Sequence, residues 1–257
     1  MLAIISDIHS NTEALRAGLD DISRRRIKRI LCLGDVIGYG PEPIECIDLV
    51  RRRAEVTLMG NHDAAVLLSP TRFNIAAENA CFWTRRRIET ETDLDRRNAC
   101  WDFLGTLPVK HAMDGEEFGL GPLIFVHGSP RRPVNEYIFP DDVYTAPHKV
   151  RQQLERFENL CFVGHTHVPG VFVDSPDFYS PEEIDHVFEV NPIRKALINV
   201  GSVGQPRDRD PRAAYAVLEP GAVRFVRVPY DIDAVVSKVD RIKELDDYVG
   251  SRLREGR

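Results

Sequence analysis

Leu2-Ala-Ile-Ile-Ser-Asp7-Ile-His9, Arg29-Ile-Leu-Cys-Leu-Gly34-Asp35-Val-Ile-Gly38 and Val56-Thr-Leu-Met-Gly60-Asn61-His62-Asp63 follow one pattern. Each is a short apolar run that stops at a carboxylate, amide or imidazole, and glycine stands beside that polar residue in the second and third. Short unbroken apolar runs read as buried parallel strands, here over 2–6, 29–33 and 56–59. Between the first two, Asn11 is placed to N-cap a helix in which Leu15, Leu19 and Ile22 recur at helical spacing. Between the second and third, Ile44, Ile47 and Val50 mark another helix after Pro41 and Pro43. A βαβαβ order predicts a parallel sheet with right-handed crossovers. Ligands of such sheets bind beyond the carboxyl ends of the strands, where the polar residues of these three runs fall.

Outward from this core the pattern changes. Residues 64–106 show no strand signal, and 76–88 and 94–104 read as helices. After Pro108 come short apolar runs at 123–126, 160–163, 171–173, 196–200, 215–218 and 223–228, with Glu219-Pro-Gly-Ala222 as a hairpin turn. A closing helix is expected over 232–253. Two later runs repeat the opening pattern, ending in Val126-His127-Gly128 and Gly164-His165-Thr-His167. With no linker or repeat, the expectation is one α/β domain over 1–257, with a two-sheet core and a helical insert at about 64–106.

Composition narrows the function. The 257 residues carry 34 Lys plus Arg against 40 Asp plus Glu, a formal net charge of −6. That balance opposes general nucleic-acid binding, which needs a basic surface, but a small phosphate substrate needs only a local field. No apolar run is long enough to span a bilayer, and the N-terminus lacks a basic signal region, so no membrane partner is expected. The five cysteines are unpaired by spacing, which argues against a disulfide framework and for a reducing, cytoplasmic setting.

The donor types at the five strand ends are imidazole, carboxylate and amide, without thiolate. This set suits divalent Mn, Fe, Co, Ni or Zn. Asp7, His9, Asp35, Asn61, His127, His165 and His167 are too many ligands for one ion, with His62 still in hand. Two ions sharing one bridging carboxylate would use all seven. Each motif alone has an ordinary reading: Asp35 bonding amides at a βα turn, Gly60–Asp63 as an Asx turn, His165–His167 as a solvated loop.

Taken in order, D-x-H, G-D-x-x-G, G-N-H-D, an H-G pair and G-H-T-H resemble the calcineurin-like metallophosphoesterase superfamily, and within it the small bacterial YfcE-like type. The resemblance spans 3–168 through its motifs and continues weakly through Ile198–Arg207. It implies a four-layer α/β/β/α sandwich. It also implies one metal site at Asp7, His9, Asp35 and His167, and a second at Asp35, Asn61, His127 and His165, with Asp35 as the bridge. His62 matches the non-ligand histidine facing the scissile phosphate, and Asp63 the carboxylate that orients it. The implied reaction is in-line attack on phosphorus by a hydroxide bridging two divalent ions, manganese foremost, with Fe, Zn, Ni, Co or Mg as alternatives. A small phosphorylated substrate or a phosphoprotein is the expected partner. A non-catalytic interaction scaffold of the same fold is the competing reading, but it would be expected to lack His62.

Neighbours of the motifs supply further candidates. Asn11 and Tyr39 lie one step beyond motif residues and are placed in the pocket. Arg131 and Arg132 follow His127 and are candidates for a second phosphate or the leaving group. Arg207, Asp208, Arg209 and Asp210 read as mutually paired or solvated, although Gly201–Gly204 before them could border the cleft.

Overall fold

The computed structural model describes residues 1–71 and 73–257. Its first half runs β1 (Leu2–Ile5), α1 (Thr12–Arg24), β2 (Arg29–Cys32), α2 (Pro43–Arg53), β3 (Val56–Thr57), α3 (Asn61–Leu67), α4 (Ile75–Glu89), α5 (Leu94–Thr106), β4 (Lys110–Met113) and β5 (Leu123–Val126). The second half runs α6 (Asp142–Thr145), α7 (Pro147–Leu154), β6 (Leu160–Val163), β7 (Gly170–Val173), β8 (Asp177–Tyr179), β9 (Val187–Glu189), β10 (Ala196–Asn199), β11 (Ala213–Glu219), β12 (Ala222–Val228), α8 (Ile232–Val239) and α9 (Asp247–Ser251).

These strands form two mixed six-stranded sheets, ordered β3-β2-β1-β11-β12-β9 and β4-β5-β6-β10-β7-β8. In the first, β1, β2 and β3 are parallel, so their carboxyl ends emerge together. In the second, β5, β6 and β10 are parallel, giving a second aligned set of ends.

Alternation along each strand builds the layers. Leu2 and Ile4 of β1 face Phe125, Phe162 and Ile198 of the other sheet, in one apolar layer between the sheets. Ala3 and Ile5 point the opposite way, onto Leu15, Leu19 and Ile22 of α1 and Ile44, Ile47 and Val50 of α2. On the far side, Cys161, Val163 and Leu197 pack under Val150 and Leu154 of α7. Two apolar faces per sheet explain the unbroken apolar runs, and the result is the expected α/β/β/α sandwich.

Asn11 caps α1 as expected, its side chain accepting from Ala14 N–H. The closing helix does not run on to 253. It stops at Val239 and turns, so that Leu245 and Val249 pack on Val239, and Asp246 caps α9. The short strands β4, β8 and β9 carry no continuous apolar run and were not anticipated.

Tyr215 of β11 ties its sheet to α1 by donating to Asp21 Oδ2 at 2.7 Å. Although burial opposes it, hydrogen bonds from Arg25 and Tyr215 hold Asp21 below the ordinary carboxylate range. Tyr215→Phe should cost about 1 kcal/mol at neutral pH, or roughly 2–4 °C in Tm. A depressed carboxylate stabilises the fold above its unfolded pKa, and the benefit fades as pH falls through the folded one. The gap between wild type and variant should therefore narrow in acid. Denaturation curves that stay parallel at every pH would contradict this.

Candidate metal centre

All five motif-bearing strand ends deliver their side chains to one buried cluster. Asp7 and His9 follow β1, Asp35 follows β2, Asn61 and His62 open α3 after β3, His127 follows β5, and His165 and His167 follow β6. The backbone is bent to bring them in. Asp7, His9, Asp35, Tyr39, His165 and His167 all have φ between 50° and 67°, the left-handed region unfavourable for residues with a Cβ. Strain of this kind costs on the order of 1–3 kcal/mol per residue and collects at functional sites. Two glycines permit the closeness. A Cβ on Gly60 would lie 2.0 Å from Asp35 Oδ1, and one on Gly164 would lie 2.4 Å from Asp7 Oδ2.

The donor atoms crowd shared centres instead of pairing off. His9 Nε2 and His167 Nε2 are 3.1 Å apart, and His167 Nε2 is 3.2 Å from Asp7 Oδ1. Asp35 Oδ2 lies 3.6 Å from His9 Nε2 and 3.4 Å from His127 Nε2, and His127 Nε2 is 3.1 Å from Asn61 Oδ1. Asp7, His9 and His167 form one group able to hold an ion, and Asp35, His127 and His165 another; His9, Asp35 and His62 also converge. Carbonyl oxygens fix two of the rings: His127 Nδ1 donates to Leu33 O at 3.1 Å and His167 Nδ1 to Gln205 O at 2.5 Å. A carbonyl can only accept, so each ring keeps its Nε2 lone pair for a ligand.

Among the described residues, Asp7 Oδ1 and His165 Nε2 are buried with no hydrogen-bond partner. Buried polar atoms left in this state are costly, and a cation would satisfy them. Protonation states agree for the carboxylates and for three of the four ligand histidines, while His127 must give up a proton to bind an ion. Burial holds His9 and His167 below the ordinary imidazole range and takes His165 to about 3, the neutral form that ligates. Burial also works against His127, yet the charges of Asp35 and Asp7 push it up to about 9. Against their own burial, neighbouring histidines hold Asp7 and Asp35 ionised, well below the usual carboxylate range. The donor set therefore fits divalent metal ions.

His62 stands at the opening. Burial lowers it to about 4, its Nδ1 is 3.7 Å from Cys81 Sγ, and Phe73 meets its ring edge-on at 4.8 Å. With Tyr39, Asn61, Phe73 and Tyr137 it lines a cavity of about 330 Å³.

Four expected roles change. Asp63 does not reach toward His62: its carboxylate accepts the backbone N–H groups of Asp35, Val36, Ile37 and Gly60 at 2.8–3.3 Å. It fixes the Gly34–Gly38 turn that carries Asp35. Burial and the charge of Asp35 push it up to about 7, against the pull of those amides. Asn11 spends its side chain on Ala14 N–H and the Gly204 carbonyl, which leaves it structural. Arg131 is committed to Glu136 and to Gln152 Oε1. Arg132 is exposed and is not among the residues lining the cavity.

Three residues at the site were not assigned to it from sequence. Tyr137 stacks on His165 with ring centroids 3.9 Å apart, Phe73 borders His62, and Arg207 lies 5.8 Å from the Tyr39 ring centroid. The glycine loop before Arg207 was the available signal for that residue.

Comparison with known proteins agrees with this geometry. The family model for the calcineurin-like phosphoesterase superfamily domain matches residues 1–222. An uncharacterized protein of Methanocaldococcus jannaschii, MJ0912, is 38% identical over 264 residues, covering 100% of this chain and 98% of that protein. The crystal structure of a metallophosphoesterase from Sphaerobacter thermophilus is 35% identical, with a TM-score of 0.79 and 100% and 99% coverage. The hypothetical protein PH1004 from Pyrococcus horikoshii shares the fold at 20% identity, with a TM-score of 0.74 and the same coverage.

Proposed function

The chain belongs to the calcineurin-like phosphoesterase superfamily, and from that premise we propose that it is a metal-dependent hydrolase of phosphate esters. The observation that carries this reading is the convergence of seven donor side chains from five strand ends on one buried cluster, two of whose donor atoms have no partner. Asp7, His9, Asp35 and His167 would hold one divalent ion, and Asp35, Asn61, His127 and His165 a second. Bound divalent ions supply Lewis acidity and bring the ionisation of water toward neutral pH.

The rest of the chemistry falls to the chain. Asp35 serves both halves through one carboxylate oxygen, while its other oxygen accepts His62 N–H at 2.8 Å. That bond couples the position of His62 to the cluster. With the Cys81 thiol donating to Nδ1, the Nε2–H of a neutral His62 is left to donate to a phosphate oxygen in the cavity. An arriving phosphate dianion raises the basicity of this imidazole, which favours proton delivery to the leaving oxygen. Tyr39 packs against both His9 and His62, at 4.9 and 4.5 Å between centroids, and keeps the two rings in place.

Metal-stripped protein reloaded singly with Mn, Fe, Ni, Zn or Mg should hydrolyse chromogenic phosphate mono- or diesters. The ratio between mono- and diester turnover identifies the substrate class. His62→Ala should retain its metal and lose roughly 10²-fold or more in kcat. No turnover with any metal, or equal turnover in the variant, would overturn the proposal.

A further inference from the structure

The cavity beside His62 is walled by three aromatic side chains, Tyr39, Phe73 and Tyr137, and among the described residues no Lys, Arg, Asp or Glu lines it. Its volume of about 330 Å³ lies at the small end of ligand pockets, with room for a phosphate and one ring.

Each of the three rings is held by its neighbours. Tyr39 packs on His9 and His62, with centroids 4.9 and 4.5 Å away. Phe73 meets the His62 ring at 4.8 Å and packs against two buried apolar clusters. The next residue, Asn74, caps α4 by accepting from Ala77 N–H at 2.9 Å. Tyr137 stacks on His165 at 3.9 Å. The residue before it, Glu136, ties the loop down by accepting from Ser129 Oγ at 2.5 Å, Arg131 Nε at 3.1 Å and Gln153 Nε2 of α7 at 3.1 Å.

The rings are fixed yet not covered, since Tyr137 is 41% exposed and Phe73 only half-buried. Preset rings bind a ligand with little loss of conformational freedom, and the ligand removes their open apolar surface from water. An anionic group set against them would lose hydration without gaining a partner among the described residues. In the proposed reaction His62 serves the leaving oxygen. The group on that oxygen therefore enters the space that His62 shares with Phe73 and Tyr137.

We propose that this cavity is the leaving-group subsite and that it selects esters whose leaving group is an uncharged aromatic ring, with Phe73 and Tyr137 setting the preference. This rests on the phosphoesterase reading and names its substrate class.

The test titrates the metal-reloaded full chain calorimetrically with phosphonates, which cannot be hydrolysed. Wild type should bind benzylphosphonate roughly tenfold or more tighter than methylphosphonate. Cyclohexylmethylphosphonate, as large but not flat, should bind several-fold more weakly than the benzyl compound. 2-Carboxyethylphosphonate should bind no better than methylphosphonate. Phe73→Ala should remove most of the benzyl-to-methyl preference, and Phe73→Tyr should keep it. Arg224→Gln, at a β12 arginine paired with Glu219, should leave the ratio at its wild-type value. A ratio of two affinities is insensitive to a general loss of folded protein. Equal binding of benzyl- and methylphosphonate by wild type, equal binding of the flat and saturated rings, or an unchanged ratio in Phe73→Ala would overturn the proposal. The titration needs no turnover, so the expected preference without hydrolysis of any ester would count against the phosphoesterase reading alone.

Discussion

Asp35→Asn should lower kcat/KM of the metal-reloaded protein by roughly 10³-fold or more and reduce bound metal from about two equivalents to about one. Asp35 is the carboxylate shared by the two halves of the cluster, with Oδ2 within 3.6 Å of both His9 Nε2 and His127 Nε2. Its Oδ1 is already used, accepting His62 N–H at 2.8 Å. An asparagine has only one oxygen and must choose. If the oxygen keeps the bond to His62, the NH₂ group faces the ions and cannot ligate. If it turns toward the ions, the NH₂ group meets the His62 N–H donor, and His62 loses its anchor. Either way the negative charge that would lie between the two proposed dications is lost, and their mutual repulsion would be less offset. Metal analysis by mass spectrometry, run beside steady-state kinetics, separates the two losses. Full metal content with wild-type turnover would show that Asp35 is not the shared ligand.

Much of this site was legible because its physics is local. A strand buried on both faces must be apolar along its length, so the first polar residue after it marks the strand end. Parallel neighbours bring such ends together, and D-x-H or H-x-H then says which donors share a place. Long-range commitments were not legible. The resemblance placed Asp63 toward His62, yet as the third residue of α3 it reaches back to Gly60 N–H and across to the Asp35 turn. Asn11 satisfied two readings, and once its oxygen capped α1 its amide went to Gly204. Arg131 had an acidic partner only five residues away, in a loop whose shape no periodicity reports. The alternating charges of 207–210 read as paired with one another. In the fold, Asp208 goes to Arg227 and Asp210 to Arg212, which leaves Arg207 with Gln205. Strands β4, β8 and β9 lie at or near sheet margins, where half-exposed faces blur the apolar signal.

Gly60→Ala should destabilise the protein by about 3 kcal/mol, lower Tm by roughly 6–12 °C, and cost on the order of 10²-fold in turnover. The torsions are not the obstacle, since φ −87° and ψ 171° suit alanine well. The obstacle is space: the added methyl would lie 2.0 Å from Asp35 Oδ1 and 2.2 Å from Asp35 N. A rotamer change could move the carboxylate oxygen, but the backbone nitrogen can move only with the whole turn. That turn is held by Asp63, which accepts from Asp35, Val36 and Ile37 and from Gly60 itself. Relief therefore shifts Asp35 against His127 and Asn61, and the shared ligand leaves its place. Gly105→Ala supplies the contrast. It is the next-to-last residue of α5 with nothing among the described residues within 4 Å of the new methyl, so helix propensity alone should stabilise it by up to about 1 kcal/mol. Thermal denaturation of both variants, with kinetics on the metal-reloaded forms, tests the argument by opposite signs. A Gly60→Ala protein with wild-type Tm and turnover would mean that the Gly34–Gly38 turn is not held against Gly60.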